Sequence, residues 1–368
     1  MKKWIMIPIC FAVLCFSVLT VKAEETTCAM SGIYDCLSDE AKAQMLALGA
    51  DSAEVTVLSG LSFESVMTQI GKMAVENAAA PLRGLISVTA MLLICSMLTA
   101  YKGALSNDMS SVLNITLSLC LSAAIVLPAT ELIRTAESVL VNASNLLLAY
   151  IPVTALLLTA SGSIAGSSAY YASVLGLGEG VLQLSSRVVV PFMNMLLGMC
   201  IAGGVSSNVN LSGFSKTLSK ASKWLLGFLM AVFSAVLGIR QVLSDSLDTV
   251  SGRAARFAFS SFVPVVGSAI GEALKTIQGS VTVLKSGVGV FVIIALAVTF
   301  LPLLLRTLLW VFTLWLGKSV AEVLNITQGS RILGGLSEVF STLIALLLCV
   351  MIIYIISTAL VFTIGGNI

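Results

Sequence analysis

Apolar residues run along this chain in long blocks. Hydrophobic stretches fall near residues 84–101, 111–129, 139–160, 188–205, 224–243, 288–305 and 339–363. Each approaches the ~20 apolar residues that an α-helix needs to cross a bilayer. Two further stretches are mixed. Residues 164–183 carry Tyr170, Tyr171, Gly176, Gly178, Glu179 and Gly180, and read as a weak span or a re-entrant segment. Residues 307–324 carry Trp310 and Trp315 and end in Lys318 and Glu322. Tryptophan favours the membrane interface, so this helix is expected to lie partly in one. The pattern predicts an all-α fold, a polytopic transmembrane protein of about seven to nine helices.

The N-terminus has a different pattern. Lys2 and Lys3 precede the apolar stretch Trp4 to Leu19, and Val21-Lys22-Ala23 supplies small residues. This is the layout of a secretory signal peptide spanning residues 1–23, cut after Ala23. An uncleaved first membrane helix is the alternative, and either one translocates the next segment. Residues 24–81 then form a short extracytoplasmic region, with nine acidic residues against Lys42 and Lys72. Loops poor in lysine and arginine tend to be the translocated ones. Within it, Phe63, Val66, Met67, Ile70 and Met73 share a helix face, and Ser62 suits an N-cap. That face can be covered by the membrane surface, another subunit or the protein's own loops. Cys28 and Cys36 form a possible disulfide in an oxidising compartment. Residues 82–368 make up the multi-pass domain. Lys216, Lys220 and Lys223 cluster before the 224–243 block and mark that loop as cytoplasmic. Pro128, Pro152, Pro191 and Pro302 punctuate the spans.

Composition agrees with a membrane protein. The chain is 58% hydrophobic and 10% charged, where a soluble domain is about a quarter charged. A net charge of +2 offers no basic patch for nucleic acid. Histidine is absent, which removes the commonest general base and metal ligand. No cysteine pair has zinc spacing. No phosphate-binding loop is present, so any energy source belongs to a separate subunit. No catalytic, cofactor-binding or metal-binding residue is expected, and an intramembrane enzyme lacks its parts.

Glu179 is the candidate intramembrane acid. A carboxylate at membrane depth is costly and points to function. Its flanking glycines favour a competing reading, an irregular water-exposed loop near the interface. Glu131, Arg134 and Glu137 fit a solvated helix face. Arg240, Lys285, Arg306 and Lys318 lie near span ends, where snorkelling to the headgroups accounts for them.

The segment Ser251 to Lys275, SGRAARFAFSSFVPVVGSAIGEALK, differs from the blocks around it. It opens with Arg253 and Arg256, breaks at Pro264 and exits through Glu272 and Lys275. Gly267 and Gly271 have the small-xxx-small spacing that lets another helix approach closely. The arginines can contact lipid phosphate or a partner's carboxylates. An interfacial or re-entrant helical hairpin fits these features, and a short kinked membrane helix competes with it. Arg253, Arg256, Pro264, Gly267 and Gly271 are the candidate subunit or lipid contacts.

The block GRAARFAFSSFVPVVGSAIGEAL closely resembles the stage III sporulation protein AE family. VLKSGVGVFVIIALAVTFLPLLL, RILGGLSEVFSTLIALLL and the terminal Gly365-Gly366-Asn367 also resemble it. The likeness is detailed over about the last third of the chain and is one of layout before that. It implies a multi-pass protein of the mother-cell membrane that surrounds the forespore. There it would join a channel-like complex with a secretion-type ATPase and ring-forming subunits, needed for forespore development after engulfment. It implies no catalytic residues and no cofactor. A solute permease subunit energised by a separate ATPase is the alternative, motivated by the proline-kinked spans and Glu179.

Overall fold

The computed structural model describes residues 33–47, 63–100, 107–205, 212–262 and 267–363. The signal peptide, Cys28 and Pro264 lie outside these residues. The described chain is helical, with no strand among the described residues. Its elements are α1 (Asp39–Ala47), α2 (Phe63–Ala100), α3 (Asn107–Ala160), α4 (Ile164–Ser173), α5 (Glu179–Leu184), α6 (Val190–Val205), α7 (Ser212–Phe262), α8 (Gly267–Val323) and α9 (Thr327–Thr363). Two wider π-type turns, Val174–Gly178 and Ser185–Val189, join α4, α5 and α6 into one rod. Among the described residues, six helices are long and apolar enough to cross a membrane: α2, α3, the α4–α6 rod, α7, α8 and α9.

Several apolar blocks merge into single helices. Residues 111–129 and 139–160 both lie in α3, and 288–305 and 307–323 both lie in α8. Between the two blocks of α3 stand Glu131, Arg134 and Glu137, expected as a solvated helix face between two separate spans. The buried stripe runs straight through them: Ile125, Ala129, Leu132, Ala136, Leu140, Ala143, Leu147 and Tyr150 are all sealed from solvent. Spacings of three and four residues keep one face inward, so helical periodicity survives where hydropathy drops.

The prolines do not end these helices. Pro81, Pro128, Pro152 and Pro302 all sit inside them. Neighbouring hydroxyls serve backbone carbonyls nearby, as membrane helices require. Thr154 Oγ1, two residues after Pro152, donates to the carbonyls of Tyr150 at 3.1 Å and Ile151 at 2.9 Å. Pro191 is the second residue after the π-type turn Ser185–Val189. A proline there has no N–H for the carbonyl four residues back and would press on it, and a widened turn relieves both problems.

Two tight turns set the hairpins. α3 ends at Ser161-Gly162-Ser163, where Gly162 has φ 93°. Ser163 N donates to Leu158 O at 3.1 Å and Gly162 N to Thr159 O at 3.0 Å. α8 ends at Leu324-Asn325-Ile326 in the same way. Asn325 has φ 58°, and Ile326 N donates to Ala321 O at 2.8 Å. Both are left-handed caps that satisfy the last helical carbonyls, and glycine and asparagine tolerate that conformation.

α9 is the central pillar, in contact with α3, α6, α7 and α8. Its buried face includes Leu333, Leu336, Phe340, Leu343, Leu347, Val350 and Tyr354. α8 runs antiparallel to it: Trp310 packs on Phe340, and Phe300 packs on Tyr354. Small residues permit the closest approaches. A side chain at Gly335 would meet Cys200 Sγ at 2.6 Å, and one at Gly84 would enter the Trp310 ring. By contrast, nothing stands within 4 Å of a Cβ at Gly180.

These contacts give opposite expectations for two glycines. Gly335→Leu prevents the α6–α9 packing and yields no stably folded protein in detergent thermal melts. Gly180→Ala is neutral or stabilising by roughly 0.5–1 kcal/mol, the helix-propensity gain.

Candidate functional site

Glu179 is not in a loop. It is the first residue of α5, inside the helical rod, directly after the turn Val174–Gly178. Gly176 and Gly178 have weak helix propensity, which read as irregular backbone in the sequence. Packing overrides it: Gly178 lies against Leu147 of α3, where an added Cβ would stand 3.0 Å from Leu147 Cδ2. The outcome is a widened helical turn, a feature often found at functional sites.

The Glu179 carboxylate is half-buried and fully engaged. Ser144 Oγ of α3 lies 2.8 and 2.7 Å from its two oxygens. Gln183 Nε2, one turn along, donates to Oε1 at 2.9 Å. The Tyr354 hydroxyl from α9 donates to the carbonyl of Ala143, the residue before Ser144. Farther along the same α3–α4 seam, Tyr170 OH donates to Tyr150 OH at 3.0 Å, both buried. Glu179 thus ties the rod to α3 beside the point where the central pillar grips α3.

Two further polar links escaped the sequence reading. Lys223 of α7 pairs with Glu338 of α9 at 3.1 Å. Lys223 Nζ also donates to Ser341 Oγ at 3.0 Å, and Ser219 Oγ contacts Glu338 at 3.1 Å and Thr342 at 2.9 Å. Arg306 of α8 pairs with Glu131 of α3 at 2.9 Å. Snorkelling is therefore not needed for Arg306, and Glu131 has a partner on another helix. Lys318 pairs with Glu322 on its own helix at 3.7 Å. Lys285 is 5% exposed, and burial pushes its amine down to about 8.

Beside the Arg306–Glu131 pair lies a polar cavity of about 330 Å³ between α1, α2, α3 and α8. Gln44, Asn77, Thr135, Asn142, Thr299 and Arg306 are among its lining residues. The short N-terminal stretch holds onto the body here through Ile33, Leu37, Ala41 and Met45, all buried. Of the expected apolar face on α2, Met73 is buried.

The other sequence-derived residues are scattered. Arg253 and Arg256 lie on the α7 backbone, and Gly267 and Gly271 open α8. The described parts of the Ser251–Lys275 segment thus belong to the ends of two long helices. Pro264 lies outside the described residues. Cys36 is half-buried with a free thiol, and its expected partner Cys28 lies outside the described residues. Among the described residues, no group of three or more acidic or cysteine side chains is placed to hold a metal ion.

The family model for stage III sporulation protein AE matches residues 55–365. The chain belongs to that family. It shares 24% identity over 162 residues with the stage III sporulation protein AE of Bacillus subtilis (strain 168). That alignment spans 44% of this chain and 39% of the relative, so it covers less than half of either. No solved structure matches the chain. Family membership supports a role in stage III of sporulation, and the six apolar helices fit a multi-pass membrane protein.

The Glu179 contact predicts a measurable coupling. In a double-mutant cycle of Ser144→Ala and Glu179→Gln, thermal unfolding in detergent reports a coupling of roughly 1 kcal/mol. Lys318→Ala, which removes an exposed pair within one helix, changes stability by about 0.5 kcal/mol or less.

Proposed function

We propose that this protein is a non-enzymatic structural subunit of a channel-like complex linking mother cell and forespore. The carrying observation is the family match over residues 55–365 on a body of six membrane-length helices. In this reading the protein sits in the mother-cell membrane around the engulfed forespore, with its N-terminal region extracytoplasmic. Its partners are other membrane subunits of the complex, a separate ATPase and ring-forming subunits. The sequence holds no phosphate-binding loop of its own, which agrees with an energy source on a separate subunit. Helix packing is its mechanism. The body presents exposed apolar faces, including Ile86, Met97, Leu127, Trp224, Phe228 and Ile239, to lipid and to sister helices. Arg253, Arg256, Pro264, Gly267 and Gly271 form its subunit or lipid contact.

A second reading, a permease subunit energised by a separate ATPase, is favoured by the polar cavity. Gln44 Oε1 is buried there without a hydrogen-bond partner, and Gln44 lines the cavity. A polar solute could serve it.

A clean deletion separates the two. The channel-subunit reading predicts normal vegetative growth, engulfed but arrested forespores and a collapse in heat-resistant spores. Normal sporulation with altered solute uptake supports the permease reading instead. The contact segment has its own test. Gly267→Leu combined with Gly271→Leu should block co-purification of the sister subunits, and unchanged assembly and spore yield would remove that assignment.

A further inference from the structure

The hydrogen bonds around the polar cavity beside the Arg306–Glu131 pair define what it can hold. Three hydroxyls on its walls have their protons committed to their own helices. Thr135 Oγ1 donates to Glu131 O at 2.9 Å, Ser138 Oγ to Thr135 O at 2.8 Å and Thr299 Oγ1 to Ala295 O at 2.7 Å. A hydroxyl that has donated its one proton offers only lone pairs. These three side chains therefore line the cavity as acceptors.

Gln44 of α1 adds a further acceptor. Its Oε1 is buried without a hydrogen-bond partner, and Gln44 lines the cavity. A buried acceptor left without a donor is costly, and an N–H group of a ligand removes that cost. Asn77 and Asn142 offer both donors and acceptors and tip the balance neither way.

Charge points in the same direction. Glu40 and Arg306 are the charged residues among those lining the cavity. Glu131 holds Arg306 at 2.9 Å, so that positive charge is matched. Glu40 is exposed on α1 and has no ion pair among the described residues. The cavity thus carries a surplus of acceptors and one unmatched negative charge.

The remaining walls are apolar, with Val139, Val298, Pro302 and Leu303. A bare metal ion gathers oxygens at about 2.0–2.6 Å and gains nothing from such walls. An ammonium group brings three donors and a positive charge, and a short carbon stem behind it makes use of the apolar side.

We infer that this cavity binds a small organic ammonium compound. Its N–H groups meet Gln44, Glu40 and the wall hydroxyls, and its carbon stem lies against Val298, Pro302 and Leu303. Glu40 and Gln44 belong to α1, whereas the hydroxyls belong to α3 and α8. The ligand therefore bridges the N-terminal helix to the membrane body. α1 has nine residues, too few for a stable helix on its own, so occupancy tightens its attachment. The inference deepens the permease reading and rests on it for any transport of the compound, whereas binding is measured without transport.

The test uses the purified full chain in detergent and three probes of equal length: putrescine, butanediol and succinate. They end in ammonium, hydroxyl and carboxylate groups, and sodium chloride keeps the ionic strength matched. Putrescine should raise the melting temperature and slow amide hydrogen exchange across residues 33–47 several-fold. Butanediol and succinate should do neither. By titration calorimetry, Glu40→Gln and Gln44→Leu should each weaken putrescine binding several-fold. Glu40 is exposed, so Glu40→Gln keeps the test open should Gln44→Leu fold poorly. No response to putrescine, an equal response to succinate or to sodium chloride alone, or unchanged putrescine binding in Glu40→Gln would overturn the inference. Putrescine that binds but is not taken up would count against the permease reading alone.

Discussion

The ratio of helix length to bilayer thickness governs the rest of this structure. Helices of 37 to 57 residues are locked side by side by glycine approaches and by one continuous core. None can slide to match the lipid without disrupting its neighbours. Depth is therefore decided for the whole bundle at once. Ion pairs join α3 to α8 and α7 to α9. They are less costly outside hydrocarbon than within it.

Glu179 joins the same locked bundle, since Ser144 of α3 and Gln183 both hydrogen-bond its side chain.

Much of the fold was legible in the pattern of apolar blocks. The all-α class, the membrane setting and most span positions follow from hydropathy and length alone. Continuity of the helices was not legible, because Glu131, Arg134 and Glu137 lower hydropathy without breaking the three-to-four-residue spacing of the buried stripe. Glu179 was misplaced in a loop because local propensity counts Gly176 and Gly178 against a helix, while Leu147 packs on Gly178 from a distant part of the chain. The ion pairs were invisible for a related reason. Arg306 and Glu131 are 175 residues apart, and Lys223 and Glu338 are 115 apart. Nothing local distinguishes a paired arginine from a snorkelling one. The Ser251–Lys275 block signalled its family directly, since a long specific sequence needs no folding argument to be recognised.

The most direct measurement of the bilayer position is photolabelling with a phospholipid that carries a diazirine in its acyl chain. The intact protein in vesicles would be irradiated and its labelled peptides mapped by mass spectrometry. The account predicts labels on exposed apolar residues of the membrane-length helices, such as Ile239, Ile293 and Ile355. A chain that carries no label on any of those helices would contradict it.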